Sequence, residues 1–288
     1  MYAKSRDPFR ASVTPQQSKI GIIAGAGELP LQIARACAAH SRQYHVIAVD
    51  EFARTIPSSM SHTRIEISKL GACIRELRGT GCVEVVFAGK FARPRDRKIR
   101  LRPDWQAMLF LATNFGVLRR TDDGIHRAIA TTLLSYGFRV VSPLDAAPEL
   151  GARHGCLARR EPNAAQQAMF QDALIAAKGH GISRQGQAIV YADGKIFARE
   201  GKAGTDAMLQ SLPASIPPNS ILVKAMAPNQ LPTMDPPAIG EDTVQIAAKA
   251  GLVGILVEAG RSIVVDPERV GALADEMGIF VYADSASV

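Results

Sequence analysis

Short apolar runs alternate with amphipathic stretches along the first half of the chain, and this alternation predicts strands followed by helices. Residues 19–40 predict a strand, a glycine-rich turn and a helix, and "YHVIAVD" predicts a second strand that ends at Asp50. The remaining predictions are a helix at "SKLGACIRELRGTG", a strand at "CVEVVFAG", helices over 104–115 and 121–136, and a strand at "FRVVSP". Strands that alternate with helices indicate a parallel sheet with both faces covered. The predicted fold class is therefore α/β.

The second half mixes antiparallel and parallel signals. "NAAQQAMFQDALIAAKGHG" predicts a helix, and "GQAIVYADGKIFARE" predicts a hairpin because two alternating runs meet around Asp193-Gly194. The rest predicts a strand at "ILVKA", a helix at "EDTVQIAAKAGL", a strand pair at "GILVEAGRSIVVD", a helix at "PERVGALADEMG" and a last strand at "IFVYA". We therefore expect a second α/β domain with a topology different from the first.

Length and composition are those of a globular protein with two domains. The chain has 288 residues, of which 47% are hydrophobic and 21% charged, and a domain takes about 150 residues on average. A disordered chain is excluded by that hydrophobic content. We predict a flexible tail over 1–18, an N-terminal domain over 19–145, a linker over 146–162 and a C-terminal domain over 163–288.

The net charge of +7 is concentrated in one stretch. "KFARPRDRKIRLR", residues 90–102, carries seven Lys or Arg residues against one Asp. Such a run suits a polyanion, whether nucleic acid, anionic lipid headgroups or a phosphorylated ligand, and it is also compatible with a solvated loop. No zinc finger, aromatic RNA-binding pattern or recognition helix accompanies it, so we expect no sequence-specific nucleic-acid binding.

Several features favour a cytoplasmic location. The first 19 residues are polar, without the apolar core of a signal peptide, and no apolar run reaches the roughly 20 residues that a membrane span needs. Four cysteines are scattered without a C-x-x-C pair, as is typical of reduced thiols. His154 and Cys156 lie close together, but nothing nearby completes the four ligands of a structural zinc site.

The turn "GAGELP" allows a dinucleotide interpretation and a structural one. Gly25 and Gly27 supply a tight turn between a strand and a helix, and Asp50 stands where a ribose-binding acid would follow. However, Pro30 occupies the third glycine position, and Glu28 puts negative charge where a pyrophosphate would bind. An NAD(P) site, another nucleotide or phosphate turn, and a purely structural turn all stay open.

A proline-rich stretch in the second half holds one carboxylate on a stiff backbone. In "QLPTMDPPAIG", Gln230 to Gly240, two consecutive prolines follow Asp235 and restrict the backbone around it. The Asp could cap the helix that begins near Gly240, or it could serve a reaction. Lys224 ends the strand just before this stretch and is placed to meet an anion. Glu258 follows a later strand, in "VEAGR", as a functional carboxylate or as a hairpin residue.

Taken together, seven motifs resemble one family. They are "IGIIAGAGELP", "FAGKFARP", "RTDDGIHRAI", "GTDAML", "LVKA", "DPPAIGEDTV" and "GILVEAGRSIVVD", in that order, and they span about residues 19–284. The family is that of the UDP-2,3-diacylglucosamine pyrophosphatases of the LpxI type. The resemblance implies hydrolysis of UDP-2,3-diacylglucosamine to UMP and 2,3-diacylglucosamine 1-phosphate (lipid X) in lipid A synthesis. It also implies a Rossmann-like N-terminal domain, a distinct catalytic C-terminal domain, a divalent cation such as Mg²⁺, and a homodimer.

The resemblance assigns roles to residues of this chain. Asp235 matches the acid implicated in catalysis, and we expect it to bind the metal or to orient the water. Lys224 would offset charge on a phosphoryl oxygen. The residues expected to bind substrate are Gly25, Gly27, Thr205, Asp206, Gln230 and Glu258. The basic stretch and the acyl chains of such a substrate both favour a peripheral position on the anionic inner-membrane surface.

Four positions depart from the family pattern and keep a second hypothesis open. Ala203, Leu231, Thr233 and Arg184 stand where the family commonly has Glu, an acid, Arg and Asp, respectively. These changes motivate the hypothesis that the protein is a non-catalytic relative, which binds a nucleotide-sugar lipid and regulates the pathway. An NAD(P)-dependent oxidoreductase is a third hypothesis, which rests on "GAGELP" and Asp50.

Overall fold

The computed structural model describes residues 18–50, 52–53, 56–91, 101–118, 122–183, 186–228 and 236–285. The chain divides into two compact units, Met1–Ala147 and Pro148–Val288. The predicted α/β class is confirmed for both, with a parallel sheet in the first unit and a separate mixed sheet in the second.

The first unit is a five-stranded parallel sheet flanked by helices. Its elements are β1 (Ile20–Ala24), α1 (Leu29–Ala39), β2 (Tyr44–Val49), β3 (His62–Ile65), α2 (Leu70–Gly79), β4 (Glu84–Ala88), α3 (Trp105–Leu118), α4 (Asp122–Ser135), β5 (Arg139–Val141) and α5 (Pro143–Ala146). The strand order is β3-β2-β1-β4-β5, and all neighbours are parallel. This is the doubly wound order, in which the direction of winding reverses between β1 and β4.

One strand of this sheet was not predicted. β3 is the sequence "HTRI", of which only Ile65 is buried. It lies at the border of the sheet and pairs with β2 alone. An edge strand of this kind has little apolar pattern, because one side of it faces solvent, and the hydrophobic pattern therefore gives no sign of it.

A buried carboxylate fixes the start of β4, the neighbour of the central strand β1. Glu84 is buried and forms ion pairs with Arg42, which follows α1, and with Arg139, the first residue of β5. Two guanidinium groups on one carboxylate satisfy both of its oxygens with charged donors. The pairs connect the starts of β4 and β5 to the segment between α1 and β2, at the amino-terminal edge of the sheet.

His45, in β2, makes the stability of the first unit depend on pH. The ring is buried between Ser61 and Thr63, whose hydroxyl oxygens lie 2.8 and 3.1 Å from Nδ1 and Nε2. Burial lowers the pKa of the imidazole, and the Glu76 carboxylate, 3.2 Å from Nε2, offsets part of that lowering. The folded state therefore favours the neutral ring.

We expect the free energy of unfolding to fall as the pH falls through about 6.5, the ordinary pKa of histidine. The unfolded chain binds the proton more readily than the folded chain, so stability is present above that pH and is lost below it. His45→Gln should flatten this dependence between about pH 5 and 7, measured by urea unfolding. The exposed His40, changed to Asn, serves as control; equal flattening in that variant would contradict the assignment to His45.

The second unit has a six-stranded mixed sheet and a small two-stranded one. Its elements are β6 (Gly155–Cys156), α6 (Ala164–Ala168), α7 (Phe170–Ile182), β7 (Ala188–Ala192), β8 (Lys195–Arg199), α8 (Thr205–Gln210), β9 (Ile221–Lys224), β10 (Ala238–Ile239), α9 (Glu241–Lys249), β11 (Gly254–Glu258), β12 (Ile263–Val264), α10 (Pro267–Met277) and β13 (Phe280–Asp284). The large sheet has the order β6-β13-β11-β9-β7-β8, with β13, β11 and β9 parallel and the others antiparallel. Residues 148–162 contain a 3₁₀ turn, Pro148–Leu150, and β6.

The hairpin prediction is confirmed, whereas the second strand pair is organised differently. β7 and β8 pair antiparallel around Asp193 and Gly194, which have φ values of 48° and 73°, as a tight hairpin turn requires. In "GILVEAGRSIVVD", β11 enters the large sheet, but β12 leaves it and pairs in parallel with β10. A turn at Glu258 separates the two strands, where the Ser262 N–H donates to the Glu258 carbonyl.

The two faces of the large sheet bury different sets of side chains. Leu222 and Val257 face the cluster that includes α8, α9 and α10, whereas Val223 and Leu256 face the cluster that includes α7. Side chains alternate between faces along a strand. The last residues of β9 and β11, Lys224 and Glu258, therefore lie on opposite faces at the same edge.

Candidate active site

Two of the predicted site residues lie at the carboxyl edge of the three parallel strands, on opposite faces of the sheet. Lys224 ends β9 and Glu258 ends β11, and Lys224 pairs in register with Val257. Both side chains are buried, Lys224 at 7% exposure and Glu258 at 4%. Ligands of α/β sheets commonly bind at the carboxyl ends of parallel strands, so this edge is the candidate site of the second unit.

Lys224 faces the helices that follow the proline-rich stretch. Its Nζ lies 3.0 Å from the carbonyl oxygen of Ala238, the first residue of β10, and donates a hydrogen bond to it. The Ile263 N–H in turn donates to the Pro237 carbonyl oxygen at 2.7 Å. These contacts hold the chain just after Asp235 beside a buried ammonium group.

Glu258 is held by protein partners on the other face. One carboxylate oxygen, Oε1, lies 2.8 Å from Nζ of Lys178 in α7 and 3.8 Å from Nη1 of Arg261. The other, Oε2, accepts a hydrogen bond from the Met226 N–H at 3.2 Å. Met226 follows β9, so the Lys178–Glu258 pair fixes the chain just before the proline-rich stretch, as Lys224 fixes it just after.

A second buried carboxylate, Glu200, organises the neighbouring hairpin. It follows β8 and its Oε2 accepts from the backbone N–H groups of Gln187 and Ala188, at 2.7 and 2.9 Å. Oε1 accepts from the hydroxyl group of Thr205, the first residue of α8, at 2.9 Å. A Cβ atom at Gly186 would lie only 2.5 Å from Cγ of Glu200, so the glycine makes room for this carboxylate.

Glu200 therefore connects Thr205 to the candidate site. Ala188, which donates to Glu200, pairs in register with Lys224 across the sheet. Asp206 follows Thr205 in the first turn of α8, which begins after Gly204 at φ 90°. His180 of α7 supports the arrangement, since its Nε2 lies 2.9 Å from the Glu200 carbonyl oxygen.

The oxygen atoms at this edge differ in whether they are available to bind the expected divalent cation. Both carboxylates described here are occupied by protein donors, Glu200 by three hydrogen bonds and Glu258 by Lys178 and Met226. Gln187 Oε1 is buried and accepts no hydrogen bond within the described part of the chain. A carbonyl oxygen of this kind is a hard donor suited to Mg²⁺. Within the described ranges, no three His, Cys, Asp or Glu side chains converge as metal ligands.

Several residues discussed from the sequence lie outside the described residues. They are Asp235 and Gln230, predicted for catalysis and substrate binding, the family departures Arg184, Leu231 and Thr233, and residues 92–100 of the basic stretch. The roles assigned to Asp235, Gln230 and the basic stretch stay predictions. The described neighbours Pro236 and Pro237 are buried, and β10 follows them directly.

Gly25 and Gly27 lie in the first unit, in the turn between β1 and α1. The N–H groups of Gly25 and Ala26 donate to the carbonyl oxygens of Ala88 and Lys90, at 2.8 and 3.0 Å. A Cβ atom at Gly25 would lie 2.7 Å from the Lys90 oxygen, so glycine permits this close approach. Two of the N–H groups that would bind a pyrophosphate in a dinucleotide site are therefore already paired.

Asp50, the proposed ribose acid, also has a partner. Its Oδ1 lies 3.2 Å from Nη1 of Arg64, in β3, and both side chains are partly exposed. The turn "GAGELP" and Asp50 are the two features that motivated an oxidoreductase. Their hydrogen bonds and ion pair within the first unit explain both of them as local structure.

Sequence reasoning missed Glu200, Lys178 and His180. Glu200 had a usable signal, because the hairpin around Asp193-Gly194 returns the end of "KIFARE" to the start of "GQAIV". Lys178 and His180 had none, since both lie in α7 and their partners are 80 and 20 residues further along the chain, Glu258 and Glu200 respectively. Pairing over such separations depends on how α7 packs on the sheet.

Comparison with known proteins gives matches over nearly the whole chain. Residues 19–150 match the LpxI N-terminal domain, and residues 153–282 match the LpxI C-terminal domain. The UDP-2,3-diacylglucosamine pyrophosphatase LpxI of Caulobacter vibrioides is 34% identical over 271 residues, covering 91% of this chain and 96% of the relative. Among solved structures, UDP-glucose 4-epimerase of Thermus thermophilus with NAD matches at 13% identity and a TM-score of 0.29, over 93% and 86% of the two chains. That likeness is too weak to bear on fold or ligand.

Proposed function

Because the chain belongs to the LpxI family, we propose that it hydrolyses the pyrophosphate of UDP-2,3-diacylglucosamine. Water would attack a phosphorus atom, and the bond from that phosphorus to the bridging oxygen would break. The products would be UMP and 2,3-diacylglucosamine 1-phosphate. This reaction would place the protein in lipid A synthesis.

The observation that supports the proposal most directly is the position of Lys224. A buried ammonium group at the carboxyl edge of parallel strands is a fixed positive charge, and its contact with Ala238 lies three residues after Asp235. Hydrolysis of a pyrophosphate needs positive charge near the phosphoryl oxygens and an activated water. Lys224 would supply the first, and the Asp235 carboxylate would orient the water or hold a metal ion.

We propose Mg²⁺, or another divalent cation, as the cofactor. Asp235 would hold it, with the Gln187 carbonyl oxygen as a second donor from this chain. When bound, the cation would neutralise charge on the phosphate groups. Thr205, Asp206, Gln230, Gly25 and Gly27 stay predicted substrate-binding residues. For Glu258, the contacts favour positioning of the chain near Met226.

Assembly and location are proposed on the same basis. We expect a homodimer that works in the cytoplasm at the inner-membrane surface, where its diacylated substrate would be found. The basic stretch over 90–102 would contact anionic lipid.

The direct test is incubation of the full chain with UDP-2,3-diacylglucosamine and Mg²⁺, followed by measurement of UMP release. We expect UMP to form, and its formation to stop when EDTA removes the cation. UDP-N-acetylglucosamine, which has a single N-acetyl group in place of the two fatty acyl chains, is the matched control and should be a much poorer substrate. If the lipid substrate binds without UMP release, the non-catalytic regulator motivated by Ala203, Leu231, Thr233 and Arg184 replaces the hydrolase.

A further inference from the structure

Helix α3 presents a large apolar surface to solvent. Its 14 residues, "WQAMLFLATNFGVL", include no charged side chain. Trp105 is 70% exposed, and Met108, Leu109 and Leu111 are between 43% and 49% exposed. At 100° per residue, these four side chains fall within an arc of about 160° on one side of the helix. Exposed apolar patches of this kind on a folded protein commonly mark a site of interaction.

The start of α3 is fixed firmly to the first unit. Asp104 precedes the helix, and its Oδ1 accepts from the Ala107 N–H at 3.0 Å. Its Oδ2 accepts from the N–H groups of Gly71 and Ala72, at the start of α2, at 2.8 and 3.1 Å. One carboxylate therefore satisfies donors at the start of two helices. The buried side of α3, at Ala107, faces the unit, and this attachment keeps Trp105 and Met108 directed outward.

The sequence before α3 indicates which partner fits this surface. Residues 90–102 carry seven Lys or Arg against one Asp, and α3 begins three residues later. An apolar helix face next to a basic segment is the combination that binds an anionic membrane surface, because the two contributions add. Trp105 is the first residue of the helix, and a Trp next to such a face suits the headgroup region. No helix in the described ranges has the length and hydropathy to cross a bilayer.

We infer that the apolar face of α3 docks the protein on anionic lipid, lying in the plane of the membrane surface. Trp105, Met108, Leu109 and Leu111 enter the boundary between headgroups and acyl chains, and the positive charge of the sequence before α3 favours anionic headgroups. This inference rests on the proposed function in one respect: a diacylated substrate gives the protein a reason to reach the membrane.

Trp105 is the only tryptophan of the chain, so its fluorescence reports on this surface alone. On addition of vesicles of phosphatidylcholine with about 30% phosphatidylglycerol, we expect its emission to shift to shorter wavelength. Pure phosphatidylcholine vesicles should give a smaller shift, and high salt should reverse binding to the anionic ones. Met108→Ser with Leu109→Ser should weaken vesicle binding tenfold or more, since both side chains lose their apolar contact with lipid.

Two further variants separate the contributions. Changing Arg95, Arg97, Lys98 and Arg100 to Ser should weaken binding to anionic vesicles and flatten its salt dependence. Ile175→Ser with Ile182→Ser is the matched control, because these side chains of α7 are 55% and 56% exposed and belong to the second unit. That control should bind vesicles like the unchanged chain.

Three outcomes would overturn the inference. The first is a Trp105 emission that vesicles leave unchanged, and the second is an equal loss of binding in the α7 control. The third is a lipid-free shift that grows with protein concentration and parallels dimer formation in sedimentation, which would assign the α3 face to a second copy of the chain. The vesicles contain no substrate, and UMP release is measured on detergent-dispersed substrate, so failure here is distinct from failure of the proposed hydrolysis.

Discussion

Asp235→Asn is expected to lower the kcat of UMP release by about 10²-fold or more while the protein stays folded. An amide keeps the volume of the carboxylate and most of its capping ability. It has no negative charge with which to hold a divalent cation or to orient the attacking water. Substrate should still bind, because uridine, phosphates and acyl chains supply most of the contact. Steady-state kinetics, thermal unfolding and a substrate-binding assay on the same variant test all three expectations.

Asp266 provides a matched control for the alternative that Asp235 merely caps a helix. Its Oδ1 accepts from the Arg269 N–H at 3.2 Å at the start of α10, as an N-cap should. Asp266→Asn should therefore leave kcat near normal with at most a small loss of Tm. If Asp235→Asn behaves in the same way, the catalytic assignment is wrong.

Lys224→Met is expected to lower kcat by about 10²- to 10³-fold, the loss that follows removal of one preorganised charge from a phosphoryl or oxyanion site. Methionine keeps the length and apolar stem of the side chain but removes the ammonium group. The effect should fall on kcat more than on KM, because charge on the phosphoryl oxygens is greatest in the transition state. A change confined to KM would make Lys224 a substrate-binding residue instead.

Lys178→Met is the matched control, since Lys178 lies near the same sheet edge but on the face of α7. Its removal leaves the Glu258 carboxylate buried without its closest cation, which should destabilise the second unit by about 3 kcal/mol. We expect the loss to appear in the free energy of unfolding, with a smaller effect on kcat than in Lys224→Met. Equal losses of kcat in both variants would show that Lys224 acts through the fold and not on the substrate.

The local pattern of hydrophobic and turn residues was sufficient to predict the elements whose formation depends on neighbouring residues. The strands β1, β2 and β4 are buried runs between turn signals, and the Asp193-Gly194 hairpin follows from backbone preferences at two positions. By contrast, β3 is a half-exposed edge strand, and β12 pairs with β10 at a sequence separation of 25 residues. The pairing of short strands depends on how separate elements pack, and the hydrophobic pattern along the sequence gives no information about that packing.

The same distinction applies to the candidate site. Lys224 and Glu258 could be named because each follows an apolar strand, and parallel strands end at a common edge. Their position on opposite faces of the sheet follows from the register of β9 against β11, and this register is known only from the structure. The contacts of Glu200 with Thr205 and of Lys178 with Glu258 join separate elements, so no local motif announces them.

The borders of the large sheet have a consequence for how the protein behaves when crowded. One border is β6, which is only two residues long, and the other is β8, whose alternate residues Lys195, Phe197 and Arg199 are exposed. Sheets avoid edge-to-edge aggregation through short border strands and through lysine or arginine on the exposed ones. A protein concentrated on a membrane surface would meet its own copies often. These two borders give the second unit protection against adding strands from another molecule.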